Sequence, residues 1–114
     1  LAAVPRDDSP VARVQAYIVD HIEQAFTVQK MADLVAMSGR NFARTFQREV
    51  GITPLQYLKN ARIDRARKLL ECGDLPMKVV AAQCGFGSDR HMRKVFCERI
   101  GMTPAQYRAQ FGGA

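Results

Sequence analysis

The sequence lacks most of the features that mark enzymes, membrane proteins and disulfide-rich domains. Its three cysteines, Cys72, Cys84 and Cys97, are an odd set without Cys-x-x-Cys spacing, so we expect neither a zinc site nor a disulfide framework. No apolar run is long enough to cross a membrane, and no signal peptide is visible. There is no glycine-rich phosphate loop, no paired nucleophile and base, and no cluster of metal-ligating residues. We therefore expect no enzyme, catalytic site, metal or cofactor, and the free thiols favour a reducing cytoplasm.

The charge of the chain is basic and unevenly distributed. The formal net charge is +6 over 114 residues, of which 47% are hydrophobic and 25% are charged, as is typical of globular proteins. Fifteen of the seventeen basic residues lie after residue 27, but only seven of the eleven acidic ones do. This local excess of positive charge favours a polyanionic partner such as a nucleic acid.

Two segments of twenty residues, fifty positions apart, align without gaps and are identical at eight positions. Residues 38–57 read SGRNFARTFQREVGITPLQY, and residues 88–107 read SDRHMRKVFCERIGMTPAQY. Both copies end in Gly-x-Thr-Pro-x-Gln-Tyr. Two copies are too few for a solenoid, so they indicate a duplicated supersecondary unit.

Hydrophobic periodicity predicts helices throughout, and no segment shows the alternation of a strand. The predicted helices lie at about 10–25, 28–36, 38–50, 54–72, 76–84, 88–100 and 104–111. The apolar stripe of the long fourth helix comprises Leu55, Leu58, Ile63, Ala66, Leu69 and Leu70. On this helix, we expect Arg67 to face solvent. Tyr57 and Tyr107, which follow the two Thr-Pro pairs, are expected to pack with their hydroxyl groups in water.

Helix-end signals recur at the same places in both copies. Ser38 is a cap residue, and Gly51 ends its helix in the left-handed conformation that glycine tolerates. Thr53, Pro54 and Gln56 combine a cap, a first-turn proline and a capping-box partner, and therefore predict a new helix start.

Each unit consists of a short helix, a tight turn and a capped helix. Small residues four positions apart allow the two helices to cross closely, and these residues are Ala32 with Ala36 and Ala81 with Gly85. We predict an all-α fold with two helix-turn-helix subdomains joined by a long linker helix. The predicted boundaries are 1–9 for an interdomain linker remnant, 10–114 for the domain, 28–50 and 76–100 for the two helix-turn-helix units, 54–72 for the linker helix and 104–111 for the last helix.

The second helix of each unit has one apolar face and one polar face. Phe42 and Phe46 face the core in the first unit, and arginines lie on the opposite side. Arginine can hold guanine bidentately in the major groove, and Asn41 can hold adenine in the same way. Backbone amides at Ser38 and Ser88 suit phosphate groups. The full set of expected phosphate contacts is Ser38, Gln47, Arg48, Ser88 and Asp89.

These motifs resemble the DNA-binding region of the AraC/XylS transcriptional regulators over nearly all of residues 10–112. The matching segments are 31–38, 51–58, Arg62 with Ala66 and 69–70, 80–81 with 84–86, and Phe96 with 101–108, of which the last is the most specific. The resemblance implies about seven helices and two recognition helices in successive major-groove segments of double-stranded promoter DNA. It also implies contact with RNA polymerase and an upstream effector or dimerisation domain that is missing from this chain. Membrane association is not expected.

The resemblance also assigns base-contacting positions. They fall on Arg40, Ala43 and Arg44 in the first unit and on Arg90, His91, Arg93 and Lys94 in the second, to which the residue pattern adds Asn41. Ala36 stands where the family's turn often has glycine, a mild departure. Ala43 cannot hydrogen-bond a base, so the first unit either reads a thymine methyl group there or contributes less specificity.

The predicted linker helix sets the reach of the two units. About eighteen residues at about 1.5 Å each span about 27 Å, which with the helix bodies places the two recognition helices about 34 Å apart, one turn of DNA.

Two other functions stay open. A sequence-nonspecific architectural DNA- or RNA-binding protein would carry the same charge but would bind random duplex equally well. A protein-interaction module would use the exposed helix faces for docking, and its binding would depend little on salt.

Overall fold

The computed structural model describes residues 9–113, and this part of the chain is helical without strands. The seven helices are α1 (Pro10–Asp20), α2 (Val28–Asp33), α3 (Gly39–Val50), α4 (Pro54–Cys72), α5 (Met77–Gln83), α6 (Asp89–Ile100) and α7 (Pro104–Phe111). They form two compact units, Leu1–Asn60 (unit 1) and Ala61–Ala114 (unit 2), and α4 begins in the first and ends in the second. The predicted all-α class and helix number are confirmed.

The predicted linker remnant at residues 1–9 lies outside the described residues except for Ser9. The Ser9 hydroxyl accepts a hydrogen bond of 3.0 Å from the Ala12 N–H and caps α1. Ser9 is therefore part of the first helix start.

The first helix is shorter than the predicted 10–25. The His21 N–H donates to the carbonyls of Tyr17 and Ile18, which ends α1 at Asp20. The His21 ring stacks on the Tyr17 ring with a centroid distance of 3.9 Å. Ile22 is still buried in the turn that follows. The apolar periodicity therefore extends beyond the helix, which is why the prediction was too long.

The cap signals have the predicted geometry at α4 and α7. The Gln56 N–H donates to Thr53 Oγ1 at 3.2 Å, and the Thr53 N–H donates to Gln56 Oε1 at 2.9 Å. Thr103 and Gln106 form the same reciprocal pair at the start of α7. A capping box of this kind satisfies two backbone donors that the first helical turn leaves unpaired.

Unit 1 is built around the inner face of α3. Phe42 and Phe46 are fully buried, with ring centroids 5.7 Å apart, and Phe46 meets Tyr57 edge to face at 5.6 Å. The other buried hydrophobic residues of this unit are Val11, Val14, Ile18, Ile22, Met31, Ala32 and Leu58. Each large apolar side chain buried in this way contributes about 1.5–3 kcal/mol relative to an exposed one.

Unit 2 repeats this plan around α6. The C-terminal half of α4 takes the part that α1 has in unit 1, because Ile63, Ala66 and Leu70 are buried with the spacing of Val11, Val14 and Ile18. The rest of the core consists of Val80, Ala81, Cys84, Phe86, Met92, Val95, Phe96 and Tyr107. Burial raises the pKa of the Cys84 thiol to about 11, so this thiol is protonated at neutral pH.

Both helix-turn-helix turns contain a residue in the left-handed region. The Met37 N–H donates to the Ala32 carbonyl at 3.0 Å, and the Phe86 N–H donates to the Ala81 carbonyl at 2.9 Å, as in a Schellman motif. The residue before the donor has a φ of 55° at Ala36 and 83° at Gly85. Only glycine adopts this region without a Cβ penalty, so the Ala36 turn is strained where its counterpart is not.

We expect Ala36→Gly to raise the free energy of unfolding by about 0.5–1 kcal/mol. Relief of a left-handed alanine is worth about 1–2 kcal/mol, and the greater freedom of glycine in the unfolded chain offsets part of that gain. Urea denaturation followed by circular dichroism measures the difference. Ala16→Gly, at an exposed helical position of α1, is the control and should lower stability by about 0.5–1 kcal/mol. A similar loss for both variants would show that position 36 is unstrained.

The hydroxyl group of Tyr107 is bonded to protein side chains, so the expectation that it lies in water was wrong. Tyr107 is only 5% exposed, and its hydroxyl donates to the Glu71 carboxylate. The Arg67 Nε–H donates to the same hydroxyl oxygen at 3.2 Å. Although Arg67 is exposed, as predicted, it thus helps to join α4 to α7. Helical periodicity could not predict these bonds, because Glu71 and Arg67 lie far from Tyr107 in the sequence.

We expect Tyr107→Phe to lower the free energy of unfolding by about 1–2 kcal/mol, because Glu71 and Arg67 lose a charge-assisted partner. Tyr57→Phe is the matched control. Among the described residues the Tyr57 hydroxyl has no hydrogen-bond partner, so its removal should cost less than about 0.5 kcal/mol. Denaturant titration of the three proteins tests this, and equal losses in the two variants would refute a stabilising role for the Tyr107 bonds.

Candidate nucleic-acid interface

Helix α3 is positioned by a serine cap, a glycine stop and two buried aromatic residues. The Ser38 hydroxyl accepts from the Asn41 N–H at 3.2 Å, and Gly51, with a φ of 92°, ends the helix by donating to the Gln47 carbonyl. Phe42 and Phe46 hold the inner face in the core. The helix can therefore present only its opposite face to a ligand.

Helix α6 is positioned in the same way. The Ser88 hydroxyl accepts from the His91 N–H at 3.1 Å, and Gly101 ends the helix with a φ of 85°. Met92, Val95 and Phe96 are buried. The His91 ring lies edge to face with Phe86, with centroids 6.2 Å apart, so its orientation is also constrained.

The structure places the predicted contact residues on or immediately before α3 and α6. The exposed ones are Ser38, Arg40, Asn41, Arg44, Gln47, Arg48, Ser88, Arg90, His91, Arg93 and Lys94. The two exceptions, Ala43 and Asp89, are half-buried. Although each serine hydroxyl already accepts a backbone hydrogen bond, its own O–H can still donate to a phosphate.

The cationic groups of these faces are not neutralised within the described part of the chain. Across residues 9–113, Arg67 forms an ion pair with Asp64 at 3.9 Å, whereas Arg40, Arg44, Arg90, Arg93 and Lys94 form none. Arg62, on the other hand, is half-buried on α4, and burial lowers the pKa of its guanidinium. Arginine keeps its charge despite such a shift. The exposed cations are thus available to an anionic ligand.

Each unit also has an open cleft beside its exposed helix, which the sequence did not reveal. The unit 1 cleft has a volume of about 640 Å³ and is lined by Val28, Ala43, Arg44, Gln47, Arg48, Thr53, Pro54 and Leu55. The unit 2 cleft, of about 220 Å³, is lined by Met77, Asp89, Arg90, Met92, Arg93, Thr103, Pro104 and Ala105. Both clefts lie between the second helix of the unit and the Thr-Pro pair that follows it, but the unit 1 cleft extends along residues 44–48 of α3, whereas the unit 2 cleft extends toward Asp89 and Arg90 at the start of α6.

Leu55 was predicted to lie on the inward stripe of α4, but this was wrong, since its side chain is 50% exposed. The first turn of α4 borders the cleft, and the buried stripe begins only at Leu58. Leu69 is half-buried, whereas Ile63, Ala66 and Leu70 are buried as predicted.

Other kinds of site were also sought in residues 9–113. No group of three or more His, Cys, Asp or Glu residues there could hold a metal ion. None of the helices in this range combines the length and the apolar character that a membrane crossing requires.

Comparison with known proteins identifies the family. Residues 31–110 match the family described as "Helix-turn-helix domain". The HTH-type transcriptional regulator Rv1931c of Mycobacterium tuberculosis is 40% identical over 87 residues, which cover 76% of this chain and 34% of that protein. The first relatives found have comparable coverage, so the chain spans only about a third of the length of these curated proteins.

Solved structures show the same similarity. The DNA-binding domain of AdpA, crystallised with a target DNA, is 38% identical with a TM-score of 0.87, over 91% of this chain and 94% of that one. A regulator from Chromobacterium violaceum with an AraC-type DNA-binding domain is 27% identical with a TM-score of 0.80, over 89% and 90% of the two chains. The chain thus belongs to the helix-turn-helix domain family and is a sequence-specific DNA-binding domain of the AraC/XylS type of transcriptional regulator.

Proposed function

We propose that α3 and α6 act as two recognition helices that enter successive major-groove segments of one promoter duplex. The observation that carries this proposal is that two helices, fixed by the same caps and the same aromatic core, present unpaired cations on their exposed faces. The major groove accommodates one α-helix, and arginine can hold guanine O6 and N7 bidentately. The similarity to the DNA-binding domain of AdpA, which was crystallised with a target DNA, supports DNA as the ligand.

Base reading is assigned to side chains near the start and middle of each recognition helix, all of them exposed except the half-buried Ala43. They are Arg40, Asn41, Ala43 and Arg44 on α3, and Arg90, His91, Arg93 and Lys94 on α6. Arginine suits guanine, and Asn41 suits adenine N6 and N7. Lys94 stands where α3 has Arg44, and His91 stands where α3 has Asn41, so the two helices offer different hydrogen-bonding groups.

Phosphate contacts are assigned to the margins of the same faces. Ser38 and Ser88 offer hydroxyl and backbone donors, and on the exposed face of α3 Gln47 adds an amide donor and Arg48 a positive charge. Asp89 can contribute only through its backbone amide, because its carboxylate repels a phosphate.

The difference between the two recognition faces favours base reading over nonspecific architectural binding. A protein that grips only the sugar–phosphate backbone needs charge, which both faces have. It does not need Ala43 in one unit where Arg93 stands in the other. Side-chain variation at equivalent exposed positions, on an otherwise repeated frame, is what two different base sequences require.

The remaining assignments concern the whole protein. We assign residues 10–114, with Ser9 as the cap of their first helix, to the DNA-binding domain, and residues 1–8 to a linker that leads to an upstream effector or dimerisation domain. The chain spans about a third of the length of its curated relatives, and this difference in length supports the proposal of a further domain. RNA polymerase is the proposed protein partner and the cytoplasm the proposed location, as the regulator relatives imply, and no catalytic role is proposed.

We expect Arg93→Ala to weaken binding to a preferred duplex by about 1–3 kcal/mol while changing binding to random duplex much less. Fluorescence anisotropy at near-physiological salt measures the affinity of each protein for the preferred duplex and for the random duplex. Arg99→Ala, also on α6 and exposed, removes the same charge near the helix end and serves as the control. Equal losses on both duplexes would assign Arg93 to the phosphate backbone instead.

A further inference from the structure

The clefts of the two units differ in the residue that stands in the middle of the recognition helix. In unit 1 this residue is Ala43, and the cleft has about 640 Å³. In unit 2 the equivalent residue is Arg93, and the cleft has only about 220 Å³. The duplicated frame therefore holds a wide apolar recess in one copy and a smaller, more polar one in the other.

The surface of the unit 1 cleft combines an apolar floor with a cationic rim. Val28, Ala43, Pro54 and Leu55 provide the apolar groups. Leu55 is 50% exposed, because nothing in the described part of the chain covers it. The polar rim consists of Arg44, Gln47 and Arg48, all exposed. In unit 2, Ala105 stands in place of Leu55, and Asp89 brings a negative charge to the lining.

This combination selects a ligand that is polyanionic but carries an apolar group. Double-stranded DNA meets both conditions, because the thymine 5-methyl group is the apolar feature of the major-groove edge and phosphates flank it. The cationic rim suits the phosphates, and Ala43 lies on α3 directly before Arg44, to which the proposed function assigns base reading.

We infer that the unit 1 cleft is a thymine site, in which Ala43, with Val28 and Leu55 beside it, contacts the 5-methyl group of a thymine next to a base read by α3. The inference rests on the proposed function, which it makes more specific. Unit 1 then recognises a base by apolar contact at the position where unit 2 recognises a base by hydrogen bonds from Arg93. Ala43 and Leu55 become specificity-determining residues, although neither can hydrogen-bond a base through its side chain.

The test removes only the methyl group. In a preferred duplex, each thymine is replaced in turn by 2′-deoxyuridine, which differs from thymidine by that group alone. The half of the duplex that α3 contacts is identified as the half where Arg44→Ala relaxes base preference, and Arg93→Ala identifies the α6 half. We expect one or two positions in the α3 half at which deoxyuridine weakens binding about fourfold, the effect of uncovering one methyl-sized group.

Two variants connect that loss to the cleft. Leu55→Ala gives unit 1 the residue that unit 2 has and changes an exposed side chain, so folding should be preserved. Ala43→Gly removes the proposed contact itself. In both variants the deoxyuridine penalty should fall below about twofold, because the methyl group has lost its apolar partner. Ala105→Gly, in the unit 2 cleft, should leave the penalty unchanged.

The possible results separate the inference from the function on which it rests. If the chain shows no base preference in either half, the proposed function fails. If base preference is present but no thymine of the α3 half responds to deoxyuridine, the thymine site alone is refuted. A deoxyuridine penalty that persists in both Leu55→Ala and Ala43→Gly also overturns it, because the methyl group is then contacted elsewhere.

Discussion

The function of each unit depends on how its recognition helix is rotated about its own axis, and aromatic burial sets that rotation. On α3, Phe42 and Phe46 are fully buried and Phe46 packs edge to face with Tyr57. On α6, Phe96 has the same relation to Tyr107, with ring centroids 5.4 Å apart. Loss of one such phenylalanine typically costs about 3–5 kcal/mol. Because exposing these rings would cost several kcal/mol of stability, the arginines on the other side of each helix are held outward.

Much of the fold could be predicted because its determinants are local. Thr53 with Gln56 satisfies backbone donors within one turn, and Gly51 accepts a left-handed φ on its own, so neighbouring residues suffice to place these helix ends. Because the same helix-end residues recur fifty positions later, a helix end predicted in one unit also predicted its counterpart in the other. The placement of Arg40, Arg90 and their neighbours on exposed faces likewise followed from helical periodicity.

The features that escaped prediction depend on contacts between segments distant in sequence. Periodicity did not show that α1 ends at Asp20, because Ile22 remains buried in the following turn. It also could not bring Glu71 to the hydroxyl of Tyr107. Leu55 matched the apolar stripe, but its position in the first turn of α4 leaves it beside a cleft. The clefts themselves arise from three segments meeting, so only the three-dimensional structure shows them.

Duplication followed by divergence accounts for the difference between the two faces. The caps, the glycine stops and the buried rings are alike in both units, whereas the residues on the opposite faces differ, as with Ala43 and Arg93. A common frame thus presents two different surfaces, one partly apolar and one mainly cationic.

The central claim is that both recognition helices read base sequence, and selection of bound duplexes from a random DNA pool at near-physiological salt tests it most directly. The proposed function predicts an enriched motif with two information-rich blocks, and the linker-helix length expected from the sequence puts them about one helical turn, roughly 10 base pairs, apart. Binding without any enriched sequence would contradict this account and would assign the chain to nonspecific architectural binding. A single enriched block would contradict base reading by one of the two helices.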